Sequence, residues 1–288
     1  MMSNDKDIIE KVAVITGSSS GIGLETALTL AKTGFLTYAT MRNLAKVDNI
    51  KTLADKDNLP IRIVQLDVTD NSSVNNAIQS ILSESGKIDV LVNNAGYALS
   101  GAFEDLSIEE IKTQYETNFY GVIRTTQAVL PSMRKQKSGR IINISSGLGR
   151  FGLPGSSAYC STKFAMEGLS ESMAYELDQF GIKVVLIEPG VIRTNIGNSM
   201  VIANKAQDSS SPYSQMMQNM GNSFKKFTEN ASSADVVANV VIEAATSENP
   251  YLRYLAGKDM EIWMQGKNSM SDEEFYNSLK KNLLSYDS

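Results

Sequence analysis

Residues 11–23 read KVAVITGSSSGIG, a short apolar run followed by a glycine-rich turn. The run Lys11–Thr16 predicts a buried strand, and Leu24–Lys32 has the periodicity of a helix that is ended by Gly34. A glycine-rich turn from a strand into a helix lets backbone N–H groups approach a pyrophosphate at the helix N-terminus. Plain tight turns use the same residues, so the strand and helix on either side are what favour phosphate binding.

Further short apolar runs alternate with helix-length segments downstream. Strands are predicted at Phe35–Met41, Ile61–Leu66, Ile88–Val92, Arg140–Ile144 and Lys183–Ile187. Helices are predicted at Val74–Ser83, Ile108–Leu130 with Pro131 as its stop, Ala158–Gln179 and Ala234–Ala245. This alternation is typical of right-handed βαβ crossovers, and nearly continuous apolar runs suit strands covered on both faces. We therefore predict an α/β fold with a doubly wound parallel sheet of Rossmann type.

The pattern predicts one domain, 1–288, with its core at 10–194. Residues 195–230 are polar and weakly patterned, so we expect a mobile loop or substrate lid there, followed by a C-terminal helical part at 231–288. The methionines of the lid region are Met200, Met216, Met217 and Met220. They line an adaptable apolar pocket, or they belong to core packing or an exposed loop, and the sequence leaves these interpretations open. Further candidates for an apolar substrate wall are Leu99, Phe151 and Leu153.

The composition excludes several classes of function. The chain has no histidine and one cysteine, Cys160. Ser-His-Asp hydrolysis, Cys-His proteolysis and histidine-based zinc sites are therefore excluded, and we predict no metal site. A single cysteine cannot form an intramolecular disulfide, which fits a reducing compartment such as the cytoplasm. Cys160 itself is expected to be a small packing residue.

Charge and hydropathy narrow the set of partners. The formal net charge is −5, which disfavours nucleic acid and anionic lipid as partners. No apolar run approaches the roughly 18–20 residues of a spanning helix. Residues 1–10 contain three acidic side chains and no apolar region, so we predict no secretory signal and no membrane span.

A tyrosine and a lysine stand four residues apart on a predicted helix. Tyr159 and Lys163 therefore share a helix face, where the ammonium group would favour the phenolate and lower the pKa of the tyrosine. In a chain without histidine, tyrosine is a sensible general acid and base. Ser145 and Ser146 follow a predicted strand, where a hydroxyl can polarise a substrate carbonyl. Each feature also has an ordinary explanation, a helix-surface contact for the pair and turn formation for the serines.

The end of the second strand bears on the choice of cofactor. A carboxylate at this position is typical of NAD sites and a nearby arginine of NADP sites. The sequence here is Thr40-Met41-Arg42, with no acid, and Ser20 offers a second donor to a 2′-phosphate. We predict NADP(H), with NAD(H) less favoured and with a solvated surface role for Arg42 as the alternative.

Several motifs occur together in a fixed order. They are TGSSSGIG at 16–23, Asn93-Asn94-Ala95-Gly96, Asn118, Ser146, Tyr159-Cys160-Ser161-Thr162-Lys163 and Pro189-Gly190. In this order and spacing the chain resembles the short-chain dehydrogenase/reductase family, in its ordinary single-domain branch, over about Lys11 to Thr194. The segments YATMRN, GLP and YLRY resemble the 17β-hydroxysteroid and retinol dehydrogenase-like subgroup. Hydroxysteroid enzymes often carry a pocket histidine, which this chain lacks.

The resemblance implies roles for particular residues. Tyr159 would exchange a proton with the substrate oxygen and Ser146 would hydrogen-bond it, with Ser145 as the alternative. Lys163 would bind the nicotinamide ribose and lower the pKa of Tyr159, and Asn118 would hold a water that relays protons to Lys163. The phosphate turn would consist of Gly17, Ser19, Ser20, Gly21, Ile22 and Gly23. The other cofactor contacts would be Asp67 and Val68 at the adenine, Asn94, Ala95 and Gly96 at the ribose, and Pro189, Gly190, Ile192 and Thr194 at the carboxamide.

The expected function is hydride transfer between NADP(H) and an apolar carbonyl or alcohol. By analogy with the family, a homodimer or homotetramer would form through helices 108–130 and 158–179. One alternative is a 3-oxoacyl-thioester reductase of the same family, and another is a non-enzymatic NADP(H)-sensing regulator. A third is an interaction module built from the tail at 271–288.

Overall fold

The computed structural model describes residues 11–193, 200–229 and 231–284. The strands are β1 (Lys11–Ile15), β2 (Phe35–Met41), β3 (Ile61–Gln65), β4 (Val90–Asn93), β5 (Ala98–Ser100), β6 (Gly139–Ile144), β7 (Ile182–Pro189), β8 (Ile192–Arg193), β9 (Met200–Ile202), β10 (Ser232–Ser233) and β11 (Arg253–Ala256). Seven of them form a parallel sheet in the order β11-β7-β6-β4-β1-β2-β3. The short strands form two further parallel pairs, β5 with β9 and β8 with β10.

Helices cover both faces of this sheet. They are α1 (Gly21–Lys32), α2 (Asp48–Lys56), α3 (Asn71–Ser85), α4 (Ile108–Tyr115), α5 (Gly121–Gln136), α6 (Ser157–Asp178), α7 (Ser214–Glu229), α8 (Ala234–Thr246), α9 (Lys258–Ser269) and α10 (Asp272–Leu283). Alternate residues of β1 enter different cores: Ala13 and Ile15 pack with α1 and α8, whereas Val12 and Val14 pack with α3 and α5. The predicted doubly wound Rossmann-type fold is confirmed.

The predicted stop at Pro131 is wrong. A π-helical turn at Glu116–Tyr120 joins α4 to α5, and α5 then continues through Pro131 to Gln136. Proline removes the hydrogen bond to the carbonyl four residues earlier, here that of Gln127. Gln127 is exposed, so water can satisfy its carbonyl, while Val129 and Met133 on the inner face are fully buried. Packing of that inner face keeps the helix intact.

The lid region contains more regular structure than a loop. Residues 200–202 form β9, and Ser214–Glu229 form the four-turn helix α7. The half-buried Met217, Met220 and Phe224 recur at helical spacing, a period that the polar residues between them obscure. The strand β11 and the helix α2 were also not predicted, because RYLA and DNIKTLADK are short and interrupted by charges. No helix in the described ranges is both long and apolar enough to cross a membrane.

The core on the α1 side can be tested with two leucines. Leu30 in α1 is 0% exposed, whereas Leu44 is 42% exposed. We expect Leu30→Ala to lower the free energy of unfolding by about 3 kcal/mol, because it removes buried methyl groups and leaves a cavity. Leu44→Ala should change it by less than about 0.5 kcal/mol. Denaturant unfolding of the two variants checks this, and equal losses would contradict the assignment of this core.

Candidate active site

The glycine-rich turn lies at the carboxyl end of β1 and leads directly into α1. Gly17 and Gly21 have φ values of +72° and +58°, which favour glycine. At Gly23 a Cβ atom would lie 2.4 Å from the carbonyl oxygen of Gly17 and 2.4 Å from Nδ2 of Asn94. The first turn of α1 is therefore packed directly on backbone, with no room for a side chain.

The end of β4 braces this turn. The backbone N–H groups of Asn94 and Ala95 both donate to Oγ1 of Thr16, each at 3.0 Å. Nδ2 of Asn94 donates to the carbonyl oxygens of Thr16 and Gly17, at 2.9 and 3.1 Å. Asn94 and Ala95, predicted at the ribose, thus hold the turn in place. Thr16 was not predicted to matter, although it precedes the first glycine.

Tyr159, Lys163 and Ser146 meet where α6 crosses the carboxyl ends of β6 and β7. Nζ of Lys163 donates to the carbonyl oxygen of Ile144 at 2.7 Å and lies 5.7 Å from the centroid of the Tyr159 ring. Ser146 is half-buried and lowers the pKa of Tyr159 as a hydrogen-bonding neighbour of its hydroxyl, whereas Ser145 is buried and its Oγ has no hydrogen-bond partner among the described residues. Of the two serines, the structure brings Ser146 to the tyrosine.

The pKa values differ from the sequence-based expectation. Lys163 was expected to lower the pKa of Tyr159, but burial raises that pKa to about 12, against a lowering by the hydrogen bond to Ser146. Burial also lowers the pKa of Lys163 to about 8, because the ammonium group loses solvation, and Glu167 opposes this effect. Removal of the phenol from water is therefore the largest effect on the pKa of Tyr159, and Lys163 is not among its causes.

Asn118 lies in the π-helical turn and is fully buried. Its Oδ1 accepts from the backbone N–H of Tyr97 at 3.0 Å, and its Nδ2 donates to the Tyr97 carbonyl at 2.8 Å. Gly96 packs against the same amide, since a Cβ there would lie 3.1 Å from Oδ1. The Asn118 side chain thus holds the Tyr97 backbone beside α6.

Arg42 follows the last residue of β2, beside the glycine turn. The two are linked because the N–H of Ser18 donates to the carbonyl oxygen of Thr40 at 2.9 Å. The Arg42 side chain is exposed, and the described residues provide it with no ion pair. Ser20 is the N-cap of α1 but makes no side-chain capping bond, and Ser19 beside it is half-buried, as is Ile22.

The remaining predicted cofactor residues that the structure describes follow the carboxyl ends of β3 and β7. The Asp67 carboxylate accepts from the N–H and hydroxyl of Thr69, at 2.9 and 2.7 Å, and Val68 is buried against Gly121. Pro189 ends β7, and Ile192 begins β8. Thr194 lies outside the described residues.

A residue far along the chain holds the segment after β7. The N–H of Val191 donates to Oδ2 of Asp259 at 2.7 Å, and a Cβ at Gly190 would lie 2.2 Å from the same oxygen. Asp259 is in the first turn of α9. The sequence analysis missed it, because nothing in its neighbourhood shows that α9 returns to this loop.

Comparisons with known proteins agree with this geometry. The profile of the short chain dehydrogenase family matches residues 11–205. The chain belongs to this family. An uncharacterized oxidoreductase, YusZ, of Bacillus subtilis (strain 168) is 38% identical over 282 residues, 96% of this chain and 99% of its own length. The 17-beta-hydroxysteroid dehydrogenase type 1 of Homo sapiens is 35% identical over 254 residues, 84% of this chain and 76% of its own.

Solved structures give the same family. A short-chain dehydrogenase from Streptomyces avermitilis superposes with a TM-score of 0.81 at 30% identity, covering 99% of this chain and 98% of that one. An alcohol dehydrogenase from Thermococcus sibiricus, complexed with 5-hydroxy-NADP, has a TM-score of 0.70 at 26% identity, with coverage of 85% and 95%. As a short-chain dehydrogenase of the hydroxysteroid and retinol dehydrogenase-like subgroup, the protein is an oxidoreductase.

The C-terminal helices of this short-chain dehydrogenase add an apolar cap beside Ser146. Met260 packs on Gly147, where a Cβ would lie 2.0 Å from its Cε. Phe151 stacks on Trp263 with centroids 5.4 Å apart and meets Phe275 edge-on at 5.4 Å. Leu153 packs on this cluster. Of these, only Phe151 and Leu153 were predicted.

The other predicted wall residues lie elsewhere. Leu99 is 1% exposed and packs with Ala158 and Ala203. Met217 packs on Gly155, where a Cβ would lie 2.9 Å from its Sδ, and Met200 lies in β9. A cavity of about 390 Å³ lies between α7, α9 and α10, and Phe227 is part of its described lining. The methionines predicted for a substrate pocket, Met200, Met216, Met217 and Met220, are not part of that lining.

The close packing at the glycine turn generates a stability prediction. We expect Gly23→Ala to lower the free energy of unfolding by about 1–3 kcal/mol, since the new methyl group overlaps backbone that cannot move freely. Gly168→Ala in α6 is the matched control, because nothing lies within 4 Å of its added Cβ. That variant should keep or slightly raise the stability. Thermal unfolding measures both, and an unaffected Gly23→Ala protein would disprove the packing.

Proposed function

We propose that this short-chain dehydrogenase transfers a hydride between NADP(H) and an apolar carbonyl or alcohol substrate, with Tyr159 as general acid and base. The observation that carries the proposal is the meeting of Tyr159, Ser146 and Lys163 at the sheet edge where the glycine turn begins α1. An acid, a hydrogen-bond donor and a fixed ammonium group beside a phosphate-binding turn form an arrangement suited to carbonyl reduction.

The glycine-rich turn and the residues beside it fit a dinucleotide. Positive φ at Gly17 and Gly21 and the missing side chain at Gly23 leave the first N–H groups of α1 open to an anion. Arg42 is exposed and without an ion pair among the described residues, and the Ser20 hydroxyl makes no capping bond, so both suit a 2′-phosphate. The remaining cofactor contacts are proposed at Ser19, Ile22, Asp67, Val68, Asn94, Ala95, Gly96, Pro189, Gly190, Ile192 and Thr194. When bound, the nicotinamide supplies the hydride.

Three side chains take part in hydrogen bonding and proton transfer at the substrate oxygen. Oγ of Ser146 accepts from the N–H of Leu148 at 3.1 Å, and its own proton would donate to the carbonyl oxygen of a bound substrate. As the carbonyl carbon gains the hydride, negative charge grows on that oxygen, and the Tyr159 hydroxyl gives it a proton. A pKa of about 12 means that Tyr159 carries this proton at neutral pH. The Lys163 ammonium group then stabilises the tyrosinate left behind.

The substrate side supports an apolar ligand. Beside Ser146 the described surface is formed by Leu148, Phe151 and Leu153, with Met260 behind them. We propose that α7 is part of a lid over this cap. We also propose a homodimer or homotetramer, supported by the exposed Ile108, Tyr120 and Phe164 on the segments 108–130 and 158–179. We propose a cytoplasmic location, supported by the single cysteine of the sequence.

The role of Tyr159 is tested by removing one oxygen. We expect Tyr159→Phe to lower kcat by about 10²–10⁴-fold, the usual contribution of a general acid. NADPH affinity, measured by fluorescence titration, should stay within a few-fold. Tyr175→Phe is the matched control, since Tyr175 lies on the same helix and is 78% exposed. Turnover retained by Tyr159→Phe would refute the acid assignment, and wild-type protein that binds NADPH without reducing apolar carbonyls would favour a sensor.

Cofactor choice is tested at Arg42. We expect Arg42→Asp to shift the ratio of NADPH to NADH affinity at least ~10-fold towards NADH, because it replaces a charged phosphate contact by a repelling carboxylate. Arg62→Asp makes the same charge change near the amino end of the neighbouring strand β3, away from the carboxyl ends where the glycine turn lies, and should leave the ratio alone. Fluorescence titrations with both cofactors provide the comparison, and an unchanged ratio in Arg42→Asp would exclude this role.

A further inference from the structure

Charged side chains cluster around Glu167, one helical turn beyond Lys163 on α6. The members are Lys163, Glu167, Glu171, Glu188, Arg150 and Arg253. Three of them are basic and three acidic, so the cluster is formally neutral. It joins α6 to β7, to β11 and to the turn after Ser146, and none of its acids has a role in the proposed reaction so far.

Arg253 holds the acids of the cluster together. Its Nε lies 2.9 Å from Oε2 of Glu167 and 3.4 Å from Oε1 of Glu188. On its outer side its Nη2 lies 2.6 Å from Glu171, which is half-exposed. Glu188 is fully buried and also accepts from Nη1 of Arg150 at 3.1 Å. The arginine comes from β11, the last strand of the sheet and outside the segment that matches the family profile.

Glu167 is a costly residue to bury. Its side chain is 8% exposed, its Oε1 has no hydrogen-bond partner among the described residues, and the same holds for Oε2 of Glu188. A buried oxygen without a partner destabilises the folded protein, and does so more when it is charged. The chain makes room for Glu167 at Gly149, where a Cβ would lie 3.0 Å from Cγ of Glu167 and 3.2 Å from the backbone oxygen of Lys163.

The buried ammonium group of Lys163 requires a nearby negative charge to stay protonated. Lys163 is 7% exposed, and its Nζ donates to Ile144, whose carbonyl is neutral. Glu167 lies one turn along the same helix, is also buried, and packs with the Lys163 backbone around Gly149. Its negative charge raises the pKa of Lys163, against the lowering by burial. An opposite charge at this range favours the charged form of a buried group.

We propose that Glu167 is a positioning residue for the reaction: its carboxylate, fixed by Arg253 from the last strand, keeps the buried Lys163 charged and in place beneath Tyr159. The importance of Lys163 for turnover rests on the proposed function, whereas the coupling between Glu167 and Lys163 does not. The titratable or charged groups that bear on this pair are Tyr159 and Glu171 on α6, Glu188 on β7, Arg150 and Arg253, and Cys160 bears on Tyr159.

The coupling can be measured without turnover. In full-length protein labelled with ¹⁵N at lysine Nζ, NMR follows the titration of Lys163, whose signal is assigned by its loss in Lys163→Arg. The wild-type pKa of Lys163 should lie at about 8. Glu167→Gln should lower it by about one pH unit, because the favourable charge is removed. Glu171→Gln, the same substitution one turn further along the helix, loses a contact with Arg253 but should leave the Lys163 midpoint in place.

An unmoved midpoint in Glu167→Gln, or an equal shift in Glu171→Gln, would overturn the proposal. If Glu167→Gln does not fold, as judged by thermal unfolding, Glu167→Asp takes its place. It keeps the charge but withdraws it by one methylene group, so a smaller shift in the same direction is expected. An unmoved midpoint in Glu167→Asp would equally overturn it.

A second readout links the coupling to catalysis. In the wild type, loss of the Lys163 proton should lower kcat/KM on the alkaline side, and Glu167→Gln should move that limb downward in pH by the same interval as the NMR midpoint. A limb that stays in place while the midpoint moves would overturn the positioning role. A wild-type protein that reduces no carbonyl with NADPH would instead remove the proposed function, and the NMR midpoint would still decide the coupling.

Discussion

The absence of a side chain at Gly23 is the constraint on which the arrangement of the site depends. At this position α1 lies directly on the carbonyl oxygen of Gly17 and on the Asn94 amide. That contact sets where α1 begins and therefore where its first N–H groups point. It also ties β1 to β4, because the Asn94 amide donates to Thr16 and Gly17 while the Thr16 hydroxyl accepts from the β4 side. The close contact of Gly23 with Gly17 and Asn94 thus joins the glycine-rich turn to the central strands β1 and β4.

The second principle of the site is electrostatic. A half-buried phenol and a buried ammonium group share one face of α6, and the loss of solvation pushes both towards their neutral forms. The Tyr159 proton is thereby retained, which suits an acid. For Lys163 the same effect is unfavourable, since a neutral amine would not stabilise a tyrosinate. The acids and arginines contributed by α6, β7, β11 and the turn after Ser146 supply the charge balance.

Four elements show which parts of the fold the sequence pattern predicts and which it does not. The bounds of β2 were predicted as the structure has them, because seven mostly apolar residues end at charged and polar neighbours. The continuation of α5 through Pro131 was not predicted, since a local rule for proline cannot know that Val129 and Met133 are buried on the inner face. Helix α7 was expected to be a loop, because polar residues dilute its apolar spacing. The strand β11 shows the same limit: four residues with an arginine become a strand because β7 offers them hydrogen-bonding partners.

The sequence by itself determined the fold class, the glycine turn and the pairing of Tyr159 with Lys163, because these features depend on residue types at short, fixed spacing. It also left Ser145 and Ser146 as alternatives. Only the tertiary structure placed Ser146 at Tyr159, brought Asp259 to the loop after Pro189 and set Arg253 against Glu167 and Glu188. The direction of the Tyr159 pKa shift belongs with these, since it depends on how much water the assembled chain excludes. Contacts across 68 and 86 residues arise from how the sheet and its covering helices assemble, and no local spacing encodes them.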